Sequence, residues 1–161
     1  TRFRNEFEES DCRKLFPFYF YKQDGWFTSK FSHRANVGDA EFPMARIAEA
    51  YLIEAEALAQ TGGNAKSVLN ALQAARGATP TDGSLESIYM ERRKELYGEG
   101  FRLHDIKRLH QALDRTQDEE HWASVKTLPA DSPRFMLPIP EVEMLYNKAL
   151  TSADQNEYWR K

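Results

Sequence analysis

The sequence predicts a mainly α fold, in which helices pair as antiparallel hairpins, with aromatic-rich loops and at most one small β-hairpin. Two observations indicate the helices. Apolar residues recur at i, i+3, i+4 and i+7 through three stretches between positions 44 and 96, and glycine-rich breaks separate those stretches. A third observation indicates the hairpin, because an aromatic run ahead of the helices alternates with a period of two.

The first forty residues are rich in aromatic side chains. FPFYFYKQDGWFTSKF, at 16–31, holds eight of them, and Asp24-Gly25 is a turn signal that would close a hairpin onto the stretch beginning at Trp26. Trp26 stands beside Gln23 and Asp24, so the three could form a platform that stacks on a pyranose ring and binds its hydroxyls. The alternative is an aromatic residue that packs on the helices.

Helices follow in succession. The pattern predicts a helix over 44–60, with Met44, Ile47, Ala48, Tyr51, Leu52, Ala55, Leu58 and Ala59 on its inner face. Asn64 would cap a second helix over 65–76, and Ser84 would cap a third. A fourth is expected over 102–113 and a short fifth over 141–147. The stretch GGNAKSVLNAL gives the first hairpin a tetratricopeptide-like character.

Composition excludes several functional classes. A net charge of −3 argues against a dedicated nucleic-acid binder, and no apolar run approaches the roughly 20 residues that span a bilayer. The single cysteine, Cys12, excludes a disulfide within the chain and a cysteine-based zinc site. The histidines are not at ligand spacing, so we expect no metal and no cofactor; they are His33, His104, His110 and His121.

One stretch is dense in charge: ERRKELYGEGFRLHDIKRL, at 91–109. Its acidic and basic side chains would pair between two helices, and this structural ion network would contain Glu91, Arg92, Glu95, Glu99, Arg102, Asp105 and Arg108. The alternative is a pair of catalytic carboxylates for glycoside cleavage. Surrounding cations would lower the pKa of such glutamates, which does not suit a general acid, so no catalytic residue is predicted.

Seven motifs in order resemble the C-terminal part of the SusD/RagB family of outer-membrane nutrient-binding lipoproteins. They cover nearly all of 11–159: DCR, KF, RIAEAYLIEAEALAQTG, the spaced Leu69, Asn70 and Arg76, ERRKELYGEGFRLHDIKR, LPIPEVEMLYN and QNEYW. Departures fall at turns, where Cys12 replaces a proline and Glu157-Tyr158 replaces Pro-Gly. The resemblance implies that the chain would be roughly the C-terminal third of a longer SusD-like protein, whose N-terminal part would carry the lipid anchor.

The resemblance also implies a domain layout. Residues 1–161 would form the C-terminal portion of one SusD-like domain, with a loop and hairpin segment at 1–40 and two helical hairpins at 41–113. A loop, the LPIP segment and a C-terminal tail would occupy 114–161. The variable loop contains Trp122, a second candidate ligand contact, and Trp159 would anchor the tail.

The function that the resemblance implies is non-catalytic. The protein would bind an oligosaccharide at the outer face of the outer membrane of a Bacteroidetes-type bacterium and deliver it to a SusC-like TonB-dependent transporter. Peptide binding, as in some relatives, is one alternative. A soluble helical-repeat module that binds other proteins is a second, and a glycan-degrading enzyme is a third.

Overall fold

A computed structural model describes residues 3–15, 18–20, 26–28, 30, 44–116 and 124–160 of the chain. The chain divides into two compact units, Thr1–Arg102 and Leu103–Lys161. Both are built mainly from helices and turns, so the predicted mainly α class is confirmed.

The first unit is centred on three helices, α1 (Ile47–Thr61), α2 (Ala65–Arg76) and α3 (Leu85–Glu95). Their shared core contains Ala48, Leu52, Ala55, Ala65, Leu69, Leu72, Ile88 and Leu96. Leu52, Leu69 and Ile88 are fully buried at 0% exposure, one from each helix. Buried residues recur about every three or four positions along each helix, as the predicted apolar faces require.

Local signals fix both ends of α2. The Asn64 side chain accepts a hydrogen bond from the Ser67 amide, and Gly77 ends the helix with a left-handed φ of 72°. Ser84 caps α3 in the same way, through the Ser87 amide. The predicted caps at both positions are confirmed, and α2 has the predicted bounds.

The first helix starts later than predicted. Arg46 is extended, with φ −131° and ψ 146°, and serves as its N-terminal cap. Met44 and Ile47 are therefore 89% and 76% exposed, and Tyr51 is 40% exposed, so the prediction that all three face the core was wrong. The apolar face is narrower than the sequence pattern because the core contacts only the Ala48–Leu52–Ala55 side.

Two short strands precede the helices, β1 (Phe18–Phe20) and β2 (Trp26–Thr28). They pair antiparallel, with Phe18 opposite Thr28 and Phe20 opposite Trp26. The predicted small hairpin is thus present. The chain before it, from Phe3 to Leu15, forms two 3-10 turns that contact the helices through ion pairs described below.

The second unit begins with most of α4 (Phe101–Arg108). This helix is shorter than the predicted 102–113, because His110 adopts a left-handed φ of 50° and residues 113–114 form β3 (Leu113–Asp114). β3 pairs antiparallel with β4 (Thr127–Leu128), a pairing that the sequence did not predict.

The chain ends in α5 (Glu141–Tyr146) and a run of 3-10 turns. The Gln155 side chain holds the LPIP segment by hydrogen bonds with both the amide and the carbonyl of Ile139, at 2.8 and 3.0 Å. Asn156 donates to the Pro133 and Met136 carbonyls. The matched motifs LPIP and QN therefore contact each other directly, which accounts for their joint presence in the sequence.

Candidate functional site

Three buried glutamates lie at the C-terminal end of α3. Glu91 and Glu95 belong to the helix, and Glu99 follows in the turn, where its amide donates to the Leu96 carbonyl at 3.1 Å. They are 3%, 3% and 6% exposed. Buried carboxylates are stable only when cations and hydrogen-bond donors surround them, so their partners decide what this cluster can do.

Arg13 is the partner of Glu91. Its Nη1 donates to Glu91 Oε1 at 2.6 Å and to Glu95 Oε2 at 2.9 Å. Asp11 holds the other edge of the same guanidinium through two hydrogen bonds, at 2.9 and 2.8 Å. Gln73 of α2 donates to the remaining Glu91 oxygen at 3.3 Å. The fork of the guanidinium thus joins the segment before the hairpin to α3.

Three arginines donate hydrogen bonds to the Glu95 carboxylate. Besides Arg13, Arg46 donates to Glu95 Oε1 at 3.0 Å, and Arg76 donates to both carboxylate oxygens at 3.0 and 2.9 Å. Arg46 stands at the N-cap position of α1, and Arg76 is the last residue of α2. One carboxylate therefore connects three elements to α3.

Glu99 receives two cations. Arg46 donates to its two oxygens at 3.0 and 2.6 Å, and the Lys30 ammonium forms an ion pair with Glu99 Oε1. Lys30 also donates to the Glu95 and Tyr97 carbonyls, at 2.7 and 3.2 Å. The last turn of α3 is thereby linked to the chain that follows the hairpin.

We call these eight residues the anchor network: Asp11, Arg13, Lys30, Arg46, Arg76, Glu91, Glu95 and Glu99. It contains four carboxylates and four cations, so its formal charges cancel. Repulsion among the three glutamates is offset by cations from other parts of the chain.

The network sets the protonation of its members. Burial alone would raise the pKa of Glu95, but hydrogen bonds from Arg76 and Arg46 and the charges of Arg76 and Arg13 outweigh it and lower the pKa to about 2. Burial works to lower the pKa of Arg13, yet the Asp11 and Glu91 carboxylates outweigh it and raise that pKa. Burial lowers the pKa of Lys30 against the opposing Glu99 charge.

These shifts bear on chemistry. A general acid must hold a proton at the working pH, and a carboxylate with a pKa of about 2 is ionised at neutral pH. Its oxygens are also occupied by arginines. Glu95 is consequently suited to holding positive groups in place and unsuited to proton donation.

The other members of the ion network predicted from the sequence have different surroundings. The Arg92 guanidinium lies 5.3 Å from the centre of the Phe101 ring and 3.8 Å from Glu49 of α1. Arg108 pairs with Asp105 at 2.8 Å within α4, and Arg102 is exposed. Among the contacts that the structure describes, the cations that bind the three glutamates are Arg13, Lys30, Arg46 and Arg76.

The predicted ligand contacts fall largely beyond what the structure describes. Gln23, Asp24 and Trp122 lie outside the described residues, and Trp26 is described only as the first residue of β2, opposite Phe20. The role of these four residues in binding stays a prediction. Across the described ranges, no group of three or more histidine, cysteine, aspartate or glutamate side chains could hold a metal ion.

A cavity of about 420 Å³ lies in the second unit. Pro138, Pro140, Met144 and Trp159 supply apolar walls, and Glu141, Gln155 and Arg160 add polar groups. The indole nitrogen of Trp159 donates to the Met136 carbonyl at 3.1 Å, which fixes the ring against the LPIP segment. This contact agrees with a role for Trp159 in holding the tail.

Sequence reasoning missed the four cations of the anchor network, although a signal for them existed. Arg13, Lys30, Arg46 and Arg76 each stand in a different one of the matched motifs, DCR, KF, RIAEA and the spaced Leu-Asn-Arg. Each motif therefore contributes one cation to the same cluster. Read singly, the motifs gave no indication that their basic residues meet.

No described helix of the chain is both long enough and apolar enough to cross a membrane. A search of curated proteins finds no match to the chain. A family model does match, that of the SusD family, over residues 17–159.

Solved structures are also similar. A SusD-like carbohydrate-binding protein from Bacteroides vulgatus is 30% identical, with a TM-score of 0.73 over 92% of this chain and 40% of its own. A SusD superfamily protein from the same organism is 27% identical, with a TM-score of 0.76, and covers 96% of this chain and 37% of its own. A SusD superfamily protein from Bacteroides thetaiotaomicron is 25% identical, with a TM-score of 0.74, and the match covers 96% of this chain and 39% of that protein. The chain thus spans about two-fifths of the length of these proteins.

Proposed function

Because the chain belongs to the SusD family, we propose that it is part of a protein that binds a nutrient oligosaccharide without cleaving it. The observation that carries this proposal is the match over residues 17–159, together with the likeness to a solved protein described as carbohydrate-binding. Residues 1–161 would form the C-terminal portion of one SusD-like domain, divided as the sequence analysis proposes.

The arrangement of charge supports a binding role over a catalytic one. Retaining and inverting glycosidases need two carboxyls that face an open cleft, one of them protonated. The three glutamates of α3 are instead buried, and each of them pairs with a cation. These buried ion pairs support a role for the three glutamates in holding the fold.

We place the ligand contact on the aromatic hairpin. Its strands present FYF and WFT, and Gln23 and Asp24 stand in the connection between them. A flat ring with neighbouring amide and carboxylate groups is the side-chain set that suits a pyranose, whose faces are apolar and whose edges carry hydroxyls. Trp122 is the second proposed contact.

The proposed setting follows the family. The complete protein would be held by a lipid anchor at the outer face of the outer membrane and would pass its ligand to a SusC-like TonB-dependent transporter. Removal of that transporter from cells that express the protein should leave surface binding of the glycan intact and abolish its uptake.

Binding is tested on the complete protein by calorimetric titration with maltoheptaose, xylohexaose, inulin and a mixed tryptic peptide pool. We expect one glycan to bind, and Trp26→Ala to weaken its affinity about tenfold, since loss of one stacked ring removes 1–3 kcal/mol in comparable stacking contacts. Tyr51→Ala is the matched control, because Tyr51 is a half-exposed aromatic side chain on α1 with no proposed ligand contact, and the affinity of this variant should equal that of the wild type.

Other outcomes would decide against this account. Binding of peptides alone favours the peptide-binding alternative, and binding of neither class favours a module that contacts other proteins. Equal glycan affinity in Trp26→Ala and the wild type would assign Trp26 to packing.

A further inference from the structure

The segment that contains the β1–β2 hairpin is flanked by two cations, Arg13 and Lys30. Both contact residues at the C-terminal end of α3. Arg13 stands two residues after Asp11 and binds Glu91 and Glu95. Lys30 stands two residues after the end of β2 and binds Glu99. All sixteen residues between these cations, 14–29, thus connect two points on one rigid element.

Lys30 makes the more extensive contact of the two with the α3 backbone. Within the part of the chain that the structure describes, its ammonium donates to the Glu95 carbonyl and the Tyr97 carbonyl and pairs with the Glu99 carboxylate, so each of its three protons has an acceptor there. The side chain is only 17% exposed. Two of its acceptors are carbonyls at the end of the helix, where the macrodipole favours a cation.

The carboxylate that holds Lys30 is itself fixed. Glu99 also accepts two hydrogen bonds from one edge of the Arg46 guanidinium, at 3.0 and 2.6 Å, and Arg46 stands at the N-cap position of α1. A movement of Lys30 away from α3 would leave Glu99 with one cation in a site that is 6% exposed. Removing one of the two cations from a buried carboxylate, and exposing the ammonium to the loss of its three acceptors, is costly, so the position of Lys30 is strongly determined.

We propose that Lys30 is a positioning residue for ligand binding: with Arg13 it clamps both ends of the β1–β2 hairpin to the C-terminal end of α3. The proposal rests on the proposed function for its ligand role. The clamp itself rests on the contacts of Arg13 and Lys30 alone.

The hairpin needs such a clamp. Each of its strands is three residues long, and an isolated two-stranded hairpin is marginally stable in water. Fixing both ends of the segment removes much of the entropy that closing the loop would otherwise cost. A preorganised hairpin then binds ligand without ordering itself first, which raises affinity.

The test is Lys30→Met in the complete protein, with amide hydrogen exchange as the first measurement. We expect amides of Phe18–Phe20 and Trp26–Thr28 to exchange about tenfold faster or more, because the variant loses the charged hydrogen bonds that attach the segment to α3. Amides of the core positions Leu52 and Leu69 should keep wild-type rates. Lys30→Arg, which retains the charge and the donors, should restore most of the protection.

Lys14→Met is the matched control. Lys14 lies at the other side of the hairpin in sequence, and its ammonium pairs with the exposed carboxylate of Glu9 at 2.5 Å. The same substitution there removes a cation without releasing the segment from α3. Hairpin protection should therefore match the wild type.

Affinity for the glycan selected by the titration panel is the second measurement. We expect Lys30→Met to weaken it and Lys30→Arg to recover it. Unchanged hairpin exchange in Lys30→Met would overturn the clamp, and faster exchange with unchanged affinity would overturn the positioning role. A wild-type protein that binds no member of the panel overturns the proposed function, and exchange then still decides whether the clamp exists.

Discussion

At the scale of single residues, Glu95 carries the largest share of the ionic contacts in the first unit. Three arginines surround a side chain that is 3% exposed, and their hydrogen bonds and charges lower its pKa to about 2. A buried ion pair stabilises a fold only when every lone pair and proton is matched, and here both oxygens are occupied. Glu95 should therefore make the protein sensitive to acid.

We predict that Glu95 adds stability that is complete above pH 4.5, its ordinary pKa, and is lost as the pH falls toward about 2. The sign follows because the unfolded state binds the extra proton throughout this window. The contribution is on the order of 3 kcal/mol. Glu95→Gln should be less stable at pH 7, and its free energy of unfolding should fall less between pH 5 and pH 3.

Urea titrations at a series of pH values measure this effect. Glu86→Gln, at an exposed position on the same helix, is the control and should follow the wild-type curve. Parallel pH profiles for Glu95→Gln and the wild type would contradict the assignment of Glu95 to the anchor network.

The residues of this network show where sequence reasoning stops. The spacing of the three glutamates indicated a paired cluster, because like charges four residues apart need partners. Their partners are distant in sequence: Arg46 is 49 residues from Glu95, and Arg13 is 78 residues from Glu91. No periodic pattern encodes a contact over such a separation, so the nearby Arg102 and Arg108 were selected instead.

At the scale of elements, the end of α2 fixes the segment before the hairpin as well as the helix. Gly77 ends α2 in a left-handed conformation, and a Cβ there would lie 2.5 Å from the Ser10 carbonyl oxygen. Gly62 ends α1 with a similar φ of 78°, but a Cβ there meets nothing within 4 Å. A substitution at Gly62 therefore tests backbone strain alone, whereas one at Gly77 tests backbone strain together with the close approach of Ser10.

We predict that Gly62→Ala lowers the free energy of unfolding by roughly 1–2 kcal/mol, the cost of placing an alanine in the left-handed conformation. Gly77→Ala should lose that amount and about 1–3 kcal/mol more, because the backbone around Ser10 must shift. Urea denaturation of the two variants measures the difference. Equal losses would show that Ser10 does not approach Gly77 as described.

Element bounds were predictable where a cap or a breaker marks them. Asn64 and Gly77 gave α2 its bounds in the sequence, and Ser84 gave the start of α3. The end of α4 could not be predicted, because His110 turns left-handed without a glycine to signal it. The apolar periodicity of α1 extended to Met44 and Ile47, although the core does not reach that face.

At the scale of the whole molecule, the first unit combines a helical core with ion pairs between residues that are far apart in the sequence. Its three helices pack through a core that the sequence pattern predicts, and its ionic contacts bring four separate motifs to the end of α3. The matched motifs of the SusD family thus include the contacts that hold the unit together. We propose that the hairpin attached to this network binds the ligand.

We propose that this charge cluster holds a binding protein together and takes no part in cleavage. Proton NMR of the panel's best-bound oligosaccharide, followed over a day with the complete protein, tests it most directly. We expect broadened ligand resonances from binding, with constant anomeric signals and no new reducing ends. New reducing-end signals that grow with time, and that disappear with Glu95→Gln in a folded variant, would contradict the account.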